Sequence, residues 1–284
     1  MTAGIDPKWG EPSLLHDPNI LAHFCARSSD VLITTAPKAG TTWMQQILYQ
    51  LKSGGDTSFS TIDEVVPWLE LPRQQKPWRE RLQQYNQMKD PRIFKTHCTF
   101  DQTPGADVAN IVLTSRDPRD CCTSFYHHVM AMTDTALAYF DMQRPASFDD
   151  YFEQWMSFGA WYRNVKSWWP QIHDRNVLWL RYEDMVRDLE SGVRSIVDFL
   201  QWNVAEERIP AILDHCSLPW MKQHGDKFVA RFDSGESMFM EQRFIRKGQV
   251  GDHKNLMSRE QEQRILERVH LELPEDCIAF LELR

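Results

Sequence analysis

The sequence predicts an α/β fold of three layers, in which helices cover both faces of a central parallel β-sheet. Short apolar segments rich in β-branched residues alternate with longer amphipathic segments, which is the pattern of repeated strand–helix units. The first unit, at residues 31–52, joins a strand to a helix through the loop PKAGTT. Such a loop is P-loop-like, because it points backbone N–H groups and the positive end of a helix at one point, where phosphate is the usual occupant.

The length and composition of the chain fit one globular domain. Its 284 residues are 42% hydrophobic and 12% aromatic, which is enough for one substantial core. No internal repeat, low-complexity tract or Pro/Gly/Ser-rich linker divides the sequence. We therefore expect a single domain over residues 1–284.

The charge balance argues against several classes of protein. A formal net charge of −8 does not fit a nucleic-acid or membrane-surface binder, because such proteins concentrate positive charge. No apolar run approaches the roughly 18 residues of a membrane span. An anionic ligand would have to be held by a few local cations against an unfavourable overall field.

The six cysteines indicate reduced thiols. They form no C-x-x-C pair and no metal-ligand spacing, and residues 1–10 lack the basic start and apolar run of a secretory segment. We therefore expect a cytoplasmic protein without a metal site. The adjacent Cys121 and Cys122 are interpreted as small hydrophobic residues packed on a helix rather than as a redox pair.

Four short segments are predicted to form the strands. The first begins at Val31, and the others cover residues 92–95, 110–116 and 176–182. Pro37 and the following glycine are turn residues that mark the end of the first strand. Helical patterns separate the strands, so we expect them to run parallel.

Amphipathic patterns and capping signals predict the main helices. Residues 43–51 place apolar side chains on one helix face. Asp117, Pro118 and Asp120 form a typical helix N-terminus, with a cap, a proline at the first position and a negative charge in the first turn. Residues 148–169 are predicted to form one long helix whose aromatic stripe packs in the core.

The remaining segments complete the predicted architecture. Residues 189–200 carry an apolar helix face, and Ser258 begins the final helix, with Gln261 completing a capping box. The polar, turn-rich segment 54–92 is interpreted as a lid or wall over the carboxyl edge of the sheet.

The first loop carries side chains suited to phosphate. Lys38 adds a mobile positive charge, and Thr41 and Thr42 add hydroxyl donors at the helix start. The order differs from a Walker A loop, because Lys38 precedes Gly40 instead of following the last glycine. The alternative is an ordinary solvated turn with an incidental lysine.

Three separated segments together predict a nucleotide site. They are the Lys38 loop, Arg116 with Ser124 eight residues later, and the basic loop at residues 246–248. Ligands of open α/β sheets bind at the carboxyl ends of the strands, where the first two of these segments lie. Three cationic features are enough for a nucleotide that bears phosphates at both ends.

Five blocks resemble the cytosolic sulfotransferases in order and rough spacing. They are APKAGTTW, FKTH, SRDPRDCCTS, RYEDM and RKGQVGDHKN, and the resemblance covers about residues 15–265. It implies transfer of a sulfuryl group from 3′-phosphoadenosine 5′-phosphosulfate (PAPS) to a hydroxyl or amine, with 3′-phosphoadenosine 5′-phosphate (PAP) as the product.

The resemblance also implies which residues hold the nucleotide. The first loop would hold the 5′-phosphosulfate, the Arg116 and basic-loop groups the 3′-phosphate, and aromatic residues with the 216–218 segment the adenine. The residues concerned are Lys38, Ala39, Gly40, Thr41, Thr42, Trp43, Arg116, Ser124, Tyr182, Cys216, Leu218, Arg246, Lys247 and Gly248.

The resemblance implies three catalytic residues. His97 would be the general base, because an imidazole with an ordinary pKa of about 6.5 accepts a proton near neutral pH. Lys38 would stabilise charge on the leaving oxygen, and Lys95 would lie near the sulfuryl group. No acidic cluster suited to Mg²⁺ is present in the sequence, so no metal is expected.

Some residues depart from the family pattern. Ala39 replaces the usual serine, which removes a hydroxyl that contacts the nucleotide and modulates the loop lysine, so PAPS hydrolysis without acceptor is expected to differ. His253 stands in place of the usual tryptophan, and residues 216–218 differ at the adenine rim. The family dimer signature is changed at three of four positions, so we expect a monomer or an unusual dimer. That signature falls on Lys254, Ser258, Arg259 and Gln263.

The sequence leaves the acceptor open. A small acceptor, free or tethered to a carrier protein, would meet an apolar pocket, although the same side chains could equally be core. These candidates are Trp9, Trp68, Trp78, Phe100, Phe125, Tyr126, Phe239 and the Met-rich segment 238–240. The alternative functions are a kinase-like phosphotransferase acting on a nucleotide or small molecule, and a nucleotide-binding module that has lost catalysis.

Overall fold

The sheet has four parallel strands, as the sequence predicts. A computed structural model describes residues 5–72, 76–240 and 244–283. The strands are β1 (Val31–Ile33), β2 (Ile93–Lys95), β3 (Asn110–Ser115) and β4 (Val177–Arg181), arranged in the order β2-β1-β3-β4. The predicted α/β class is confirmed, and the observed strands lie within the predicted segments.

Helices and single turns of 3₁₀ helix lie before, between and after the strands. The helices are α1 (Pro18–His23), α2 (Thr41–Ser53), α3 (Ile62–Val65), α4 (Trp78–Gln87), α5 (Pro118–Ala131), α6 (Asp134–Tyr139), α7 (Phe148–Phe158), α8 (Ala160–Trp168), α9 (Tyr182–Arg187), α10 (Leu189–Leu200), α11 (Ile209–His215), α12 (Leu218–Gln223), α13 (Arg259–Glu272) and α14 (Glu275–Phe280). The 3₁₀ turns are Pro7–Trp9, Trp169–Gln171, Glu206–Arg208, Gly225–Lys227 and Asp252–Asn255.

Alternate residues of the strands feed two separate cores. Leu32 of β1 and Phe94 of β2 pack with α1, α5, α7, α8, α13 and α14 on one face of the sheet. Val31 and Ile33 pack with α2, α10 and α11 on the other face. Because successive side chains of a strand point to opposite faces, a three-residue strand serves both layers of helices.

The predicted helix starts are confirmed at α5 and α13. The Asp117 side chain accepts a hydrogen bond from the Arg119 N–H, and Pro118 occupies the first helical position. Ser258 and Gln261 form the reciprocal capping box that the sequence predicts. However, α13 is not the last helix of the chain, since α14 follows it directly.

The single long helix predicted over residues 148–169 is wrong. Two helices, α7 and α8, meet at Gly159, which adopts the left-handed conformation with φ of 60°. A Cβ atom at this position would lie 2.5 Å from the movable end of the Arg268 side chain, so the left-handed backbone is the main reason for glycine here. Phe158 is consequently 56% exposed instead of buried, whereas Trp161 and Trp168 are in the core as expected.

The cysteines are reduced thiols, as the sequence predicts. All six cysteines are free, and Cys121 and Cys122 are buried in the core. Among the residues that the structure describes, no helix is both long enough and apolar enough to cross a bilayer.

A buried ion pair fixes the start of the sheet. Two guanidinium nitrogens of Arg92 donate to the two carboxylate oxygens of Asp30 at 2.8 and 2.5 Å, and a third bond runs from Arg92 to the Cys25 carbonyl at 2.9 Å. Neither charged side chain is exposed. The pair precedes Val31 and Ile93, which are partners in the β1–β2 register, so it sets the alignment from which both strands run to the carboxyl edge.

We expect the Asp30→Asn variant to lose about 3–5 kcal/mol of unfolding free energy, because Arg92 then stays buried without a counter-charge. Urea unfolding followed by circular dichroism measures this loss. Glu153→Gln, which breaks the exposed Arg264–Glu153 pair, is the matched control and should leave the midpoint nearly unchanged. Equal, small shifts in both variants would contradict the structural role of the buried pair.

Candidate active site

The carboxyl ends of β1 and β2 are joined by hydrogen bonds. The Thr96 N–H donates to the Ile33 carbonyl at 2.8 Å, and the His97 ring nitrogen Nδ1 lies 2.7 Å from the Thr35 carbonyl oxygen. His97 is therefore held directly beside the loop that leads from β1 into α2. In the sequence, His97 and the Lys38 loop each follow a predicted strand, and the parallel sheet brings them to one edge.

The loop between β1 and α2 is preformed. Thr114 of β3 donates to the Ala39 carbonyl at 2.7 Å, and the hydroxyls of Thr35 and Thr41 lie 2.5 Å apart. Gly40 has φ of 99°, and a Cβ atom there would lie 3.0 Å from the Tyr182 ring. No side chain caps the start of α2, so the first N–H groups of the helix remain available to an anion.

Lys38 lies among other positively charged side chains. Burial, together with the charges of Arg116, Lys95 and Arg246, lowers its pKa to about 7. Its Nζ atom is 3.1 Å from Nδ1 of His128 on α5, and its backbone adopts the left-handed φ of 69°. The ammonium is thus poised to be stabilised by any anion that enters the site.

The hydrogen bond to Thr35 decides the tautomer of His97. Because a carbonyl oxygen can only accept, Nδ1 carries the hydrogen and Nε2 keeps a lone pair. Burial, opposed in part by the Thr35 bond, lowers the pKa of His97, and the charges of Lys95 and Lys38 lower it further. His97 is therefore a neutral imidazole near pH 7 with a free basic nitrogen.

Two residues of the 54–92 segment support His97. Residues 67–69 pair with the outer edge of β2, which places the Trp68 ring edge-on to His97 at 5.0 Å. The Glu70 carboxylate accepts the His97 backbone N–H at 3.0 Å, and its charge raises the pKa of His97. Sequence reasoning anticipated a wall segment here but missed Glu70, since a lone acidic residue in a loop carries no distinctive signal.

Lys95 lies at the same edge, facing Trp68 and Asp63. Its Nζ atom is 4.8 Å from the Trp68 ring and 3.8 Å from the Asp63 carboxylate. Its charge still lowers the pKa of Lys38 and of His97. The three catalytic residues that the sequence predicts are therefore within electrostatic range of one another.

Arg116 connects the end of β3 to the basic loop. Its guanidinium lies 4.6 Å from the Tyr182 ring and donates to the Gln249 carbonyl at 2.9 Å. In that loop, Arg246 and Lys247 both pair with Asp252, at 2.5 and 2.9 Å. The cations that the sequence assigns to one phosphate are thus linked into one unit.

Asp120 ties this unit to α5. Its carboxylate accepts from the Gly251 N–H at 2.8 Å, from the His253 N–H at 3.0 Å and from His253 Nδ1 at 2.8 Å, and it lies 3.4 Å from Arg116. The sequence suggested only a favourable charge at a helix start. A residue three positions after a cap gives no sign that it will bind a loop over 130 residues away.

The predicted adenine residues come together. The Trp43 indole N–H donates to the Cys216 carbonyl at 2.7 Å, and the Trp43 and Tyr182 rings meet edge to face at 5.5 Å. A Cβ atom at Gly248 would lie 3.0 Å from Leu218, so the basic loop packs against the same wall. Ser124 lies half-buried on α5, one turn before His128.

Only some of the apolar acceptor candidates lie near these cations. Trp68 contacts His97, and Phe125 and Phe239 contact His128 at 5.8 and 4.6 Å. The others pack elsewhere. Trp78 stacks on His23, and Trp9 packs against the core near Lys8. Phe100 meets Trp168 edge to face, and Tyr126 meets Phe148 in the same way.

Comparison with known proteins gives one consistent family. A family model described as Sulfotransferase domain matches residues 28–275. Sulfotransferase 1E1 of Homo sapiens is 31% identical over 82% of this chain and 79% of its own length. Sulfotransferase 1 family member D1 of Rattus norvegicus is 30% identical over 90% of this chain and 88% of its own length.

Solved structures share the fold at lower sequence identity. Mouse sulfotransferase SULT7A1 complexed with PAP has a TM-score of 0.72 and 20% identity, and the match covers 94% of each chain. Retinol dehydratase in complex with androsterone and inactive cofactor PAP has a TM-score of 0.74 and 22% identity, covering 94% of this chain and 85% of that chain. These likenesses confirm the arrangement of the sheet and its helices.

The Asp120 cluster predicts a distinctive acid sensitivity. Burial alone would raise the pKa of Asp120, but the bonds from His253 and the Arg116 charge bring it to about 2. A depressed carboxylate pKa stabilises the fold above the unfolded value near 3.8, and this stability is lost as the pH falls toward 2. From pH 5 to pH 2 we expect the wild type to lose about 2 kcal/mol more unfolding free energy than Asp120→Asn.

Urea unfolding at a series of pH values measures the difference. Asp101→Asn removes an exposed carboxylate and should retain the wild-type slope. Parallel curves for the wild type and Asp120→Asn would show that the cluster does not hold the carboxylate in its charged form.

Proposed function

The chain belongs to the sulfotransferase family, and from that premise we propose that it transfers a sulfuryl group from PAPS to a small acceptor, with His97 as general base. The observation that carries the proposal is the position of His97, whose ring is fixed by Thr35 beside the Lys38 loop. An inactive module would not require a free basic nitrogen at the anion site. A kinase-like reaction would call for the Walker A order, which this loop lacks.

The residues present fit a nucleotide with phosphates at both ends. The uncapped start of α2 and Lys38 offer donors to the 5′-phosphosulfate, while Arg116 and the basic loop offer a second cationic group to the 3′-phosphate. Trp43 and Tyr182 supply aromatic surface for the adenine. PAPS, when bound, supplies the sulfuryl group together with a leaving oxygen that becomes negatively charged.

In the proposed mechanism His97 takes the proton of the acceptor at Nε2. The Thr35 carbonyl holds Nδ1–H and keeps the ring from presenting the wrong nitrogen. The Glu70 charge favours the imidazolium that forms, and the Glu70 bond to the His97 backbone holds its position. General base catalysis of this kind contributes about 10²–10⁴-fold to a rate.

Lys38 provides the charge that meets the developing negative charge on the leaving oxygen. Its neighbours Lys95, Arg116 and Arg246 repel it in the free protein, and an anionic ligand turns that repulsion into attraction. The protein as a whole carries a net charge of −8. Binding therefore depends on the local cluster rather than on the overall field.

The acceptor side of the proposed site is aromatic and apolar. Trp68 borders His97, and Phe125 and Phe239 border His128, which favours a small aromatic or apolar acceptor bearing a hydroxyl or amine. A surface depression of about 510 Å³ at the end of α5 is lined by Met130, Thr133, Asp134, Arg144 and Met240 and includes neither His97 nor Trp68. We therefore propose that an acceptor, free or carrier-tethered, binds beside Trp68 and His97 rather than in this depression.

The remaining expectations are part of the proposal. We take residues 1–284 as one catalytic domain, active as a monomer or an unusual dimer in the cytoplasm, without a metal. Sedimentation of the purified protein measures the oligomeric state, and chelator treatment tests metal independence.

Incubation with sulfur-labelled PAPS and a panel of phenols, alcohols, steroids and amines tests the activity. We expect label in at least one acceptor and saturable binding of PAP. Absence of transfer to every acceptor, together with absence of PAP binding, would overturn the proposal.

We expect His97→Ala to reduce kcat by roughly 10²–10⁴-fold while the Kd for PAP changes less than about threefold, because the residue acts on the acceptor proton. Lys38→Ala should impair both quantities. Single-turnover kinetics and calorimetric titration measure them. His173→Ala, at an exposed site, is the control; a comparable loss in that variant, or weak PAP binding by His97→Ala, would contradict the assigned role.

The pH dependence of kcat/KM should be bell-shaped. The acid limb of kcat/KM should lie below pH 6.5, where His97 loses its proton, since the pKa of His97 is lowered. The alkaline limb should begin above about pH 7, where Lys38 loses its proton. In kcat the alkaline limb should move to higher pH, because the bound anion raises the Lys38 pKa. Alkaline limbs that coincide in kcat and kcat/KM would refute this coupling.

A further inference from the structure

The partner of Lys38 differs in kind from the partners of the neighbouring cations. Lys95 faces the Asp63 carboxylate, Arg116 faces Asp120 and Arg246 faces Asp252. Within the described residues, the salt bridges include none to Lys38. Its Nζ atom instead meets the imidazole of His128 at 3.1 Å.

We propose that His128 is a positioning residue for Lys38, whose ammonium donates one N–H to His128 Nδ1 and so directs its other N–H bonds into the anion site. This inference rests on the proposed function and deepens it. A carboxylate in the same place would neutralise the lysine and compete with the ligand for it. An uncharged acceptor orients the ammonium and leaves its charge available.

The proton belongs to Lys38 in this pair. Burial and the charges of Lys38, Lys95 and His97 hold the pKa of His128 well below its usual range, whereas the pKa of Lys38 is about 7. Lysine is therefore protonated first as the pH falls, and the imidazole serves as acceptor. The charged and titratable groups that face Lys38 from the surrounding elements are Lys95, His97, Arg116, Arg246, Cys121 and His128.

The His128 ring is held in place by aromatic contacts. Phe239 lies 4.6 Å from it, and Phe125 and Phe244 each lie 5.8 Å away. The segment that carries Phe239 is itself bound to α5, through Met240 N–H to the Ala131 carbonyl at 2.9 Å. The segment that carries Phe239 is thus held at the end of α5 and restrains the His128 ring, whose orientation in turn orients the Lys38 ammonium.

The contact between Lys38 and His128 also determines the tautomer of His128. If Nδ1 accepts from Lys38, the hydrogen of the neutral ring is on Nε2, which is opposite to the arrangement in His97. The two histidines of the site therefore differ in which nitrogen is protonated. This difference can be observed in the wild-type protein without any substitution.

Two variants separate positioning from packing. His128→Phe keeps an aromatic ring and removes the acceptor, and we expect kcat to fall about ten- to a hundredfold with the Kd for PAP changed less than about threefold. His128→Asn keeps an acceptor close to the place of Nδ1 and should recover kcat to within about threefold of the wild type. His270→Phe, an exposed histidine on α13, is the matched control and should have wild-type kinetics.

The pH profile gives a readout that a purely structural role would not move. Loss of the acceptor destabilises the ammonium, so the alkaline limb of kcat/KM should shift to lower pH in His128→Phe and stay in place in His128→Asn. Nitrogen-15 NMR of histidine-labelled wild type should show an unprotonated Nδ1 and a protonated Nε2 for His128.

Each outcome decides the inference. A protonated Nδ1 in His128 overturns the inference, and this result needs neither a stable variant nor a known acceptor. A His128→Phe enzyme with wild-type kcat and pH profile overturns it as well. Equal losses in His128→Phe and His128→Asn would assign the effect to packing. Inactivity of the wild type itself would be a failure of the proposed function, while the NMR result would still judge the Lys38–His128 bond.

Discussion

Repulsion among like charges at one edge of the sheet is the constraint that the rest of the site depends on. Parallel strands end on the same side, so the residues that follow β1, β2 and β3 come together. The result is a cationic cluster on a net-acidic protein. Carboxylates paired with Lys95, Arg116 and Arg246 offset part of the repulsion. A ligand that carries several negative charges would neutralise the rest of the positive charge.

Much of the fold could be predicted because local patterns and tertiary structure agree. The strands carry β-branched residues buried on both faces, and the cap at Asp117 and the capping box at Ser258 act where the sequence places them. The break at Gly159 could not be predicted in the same way. Apolar periodicity continues across it, and the left-handed φ of 60° at Gly159, which ends α7, is a feature of the folded backbone.

The site shows the same division between local and distant information. Lys38, His97 and Arg116 follow strands directly, so their convergence follows from the topology. Residues that orient them, such as Glu70 and Asp120, act through bonds to backbone groups far away in sequence. Such bonds depend on how loops pack, and hydrophobic periodicity and residue spacing carry no information about that packing.

The contact between Gly248 and Leu218 has a consequence for how the proposed nucleotide would be exchanged. A Cβ atom at position 248 would lie 3.0 Å from a methyl group of Leu218, so the basic loop packs closely against Leu218. In the proposed complex, an adenine bound beside Trp43 would be bordered by this contact. Release of that nucleotide would then be slowed wherever it needs the loop to move, because the bonds between Asp120 and His253 hold the loop on α5.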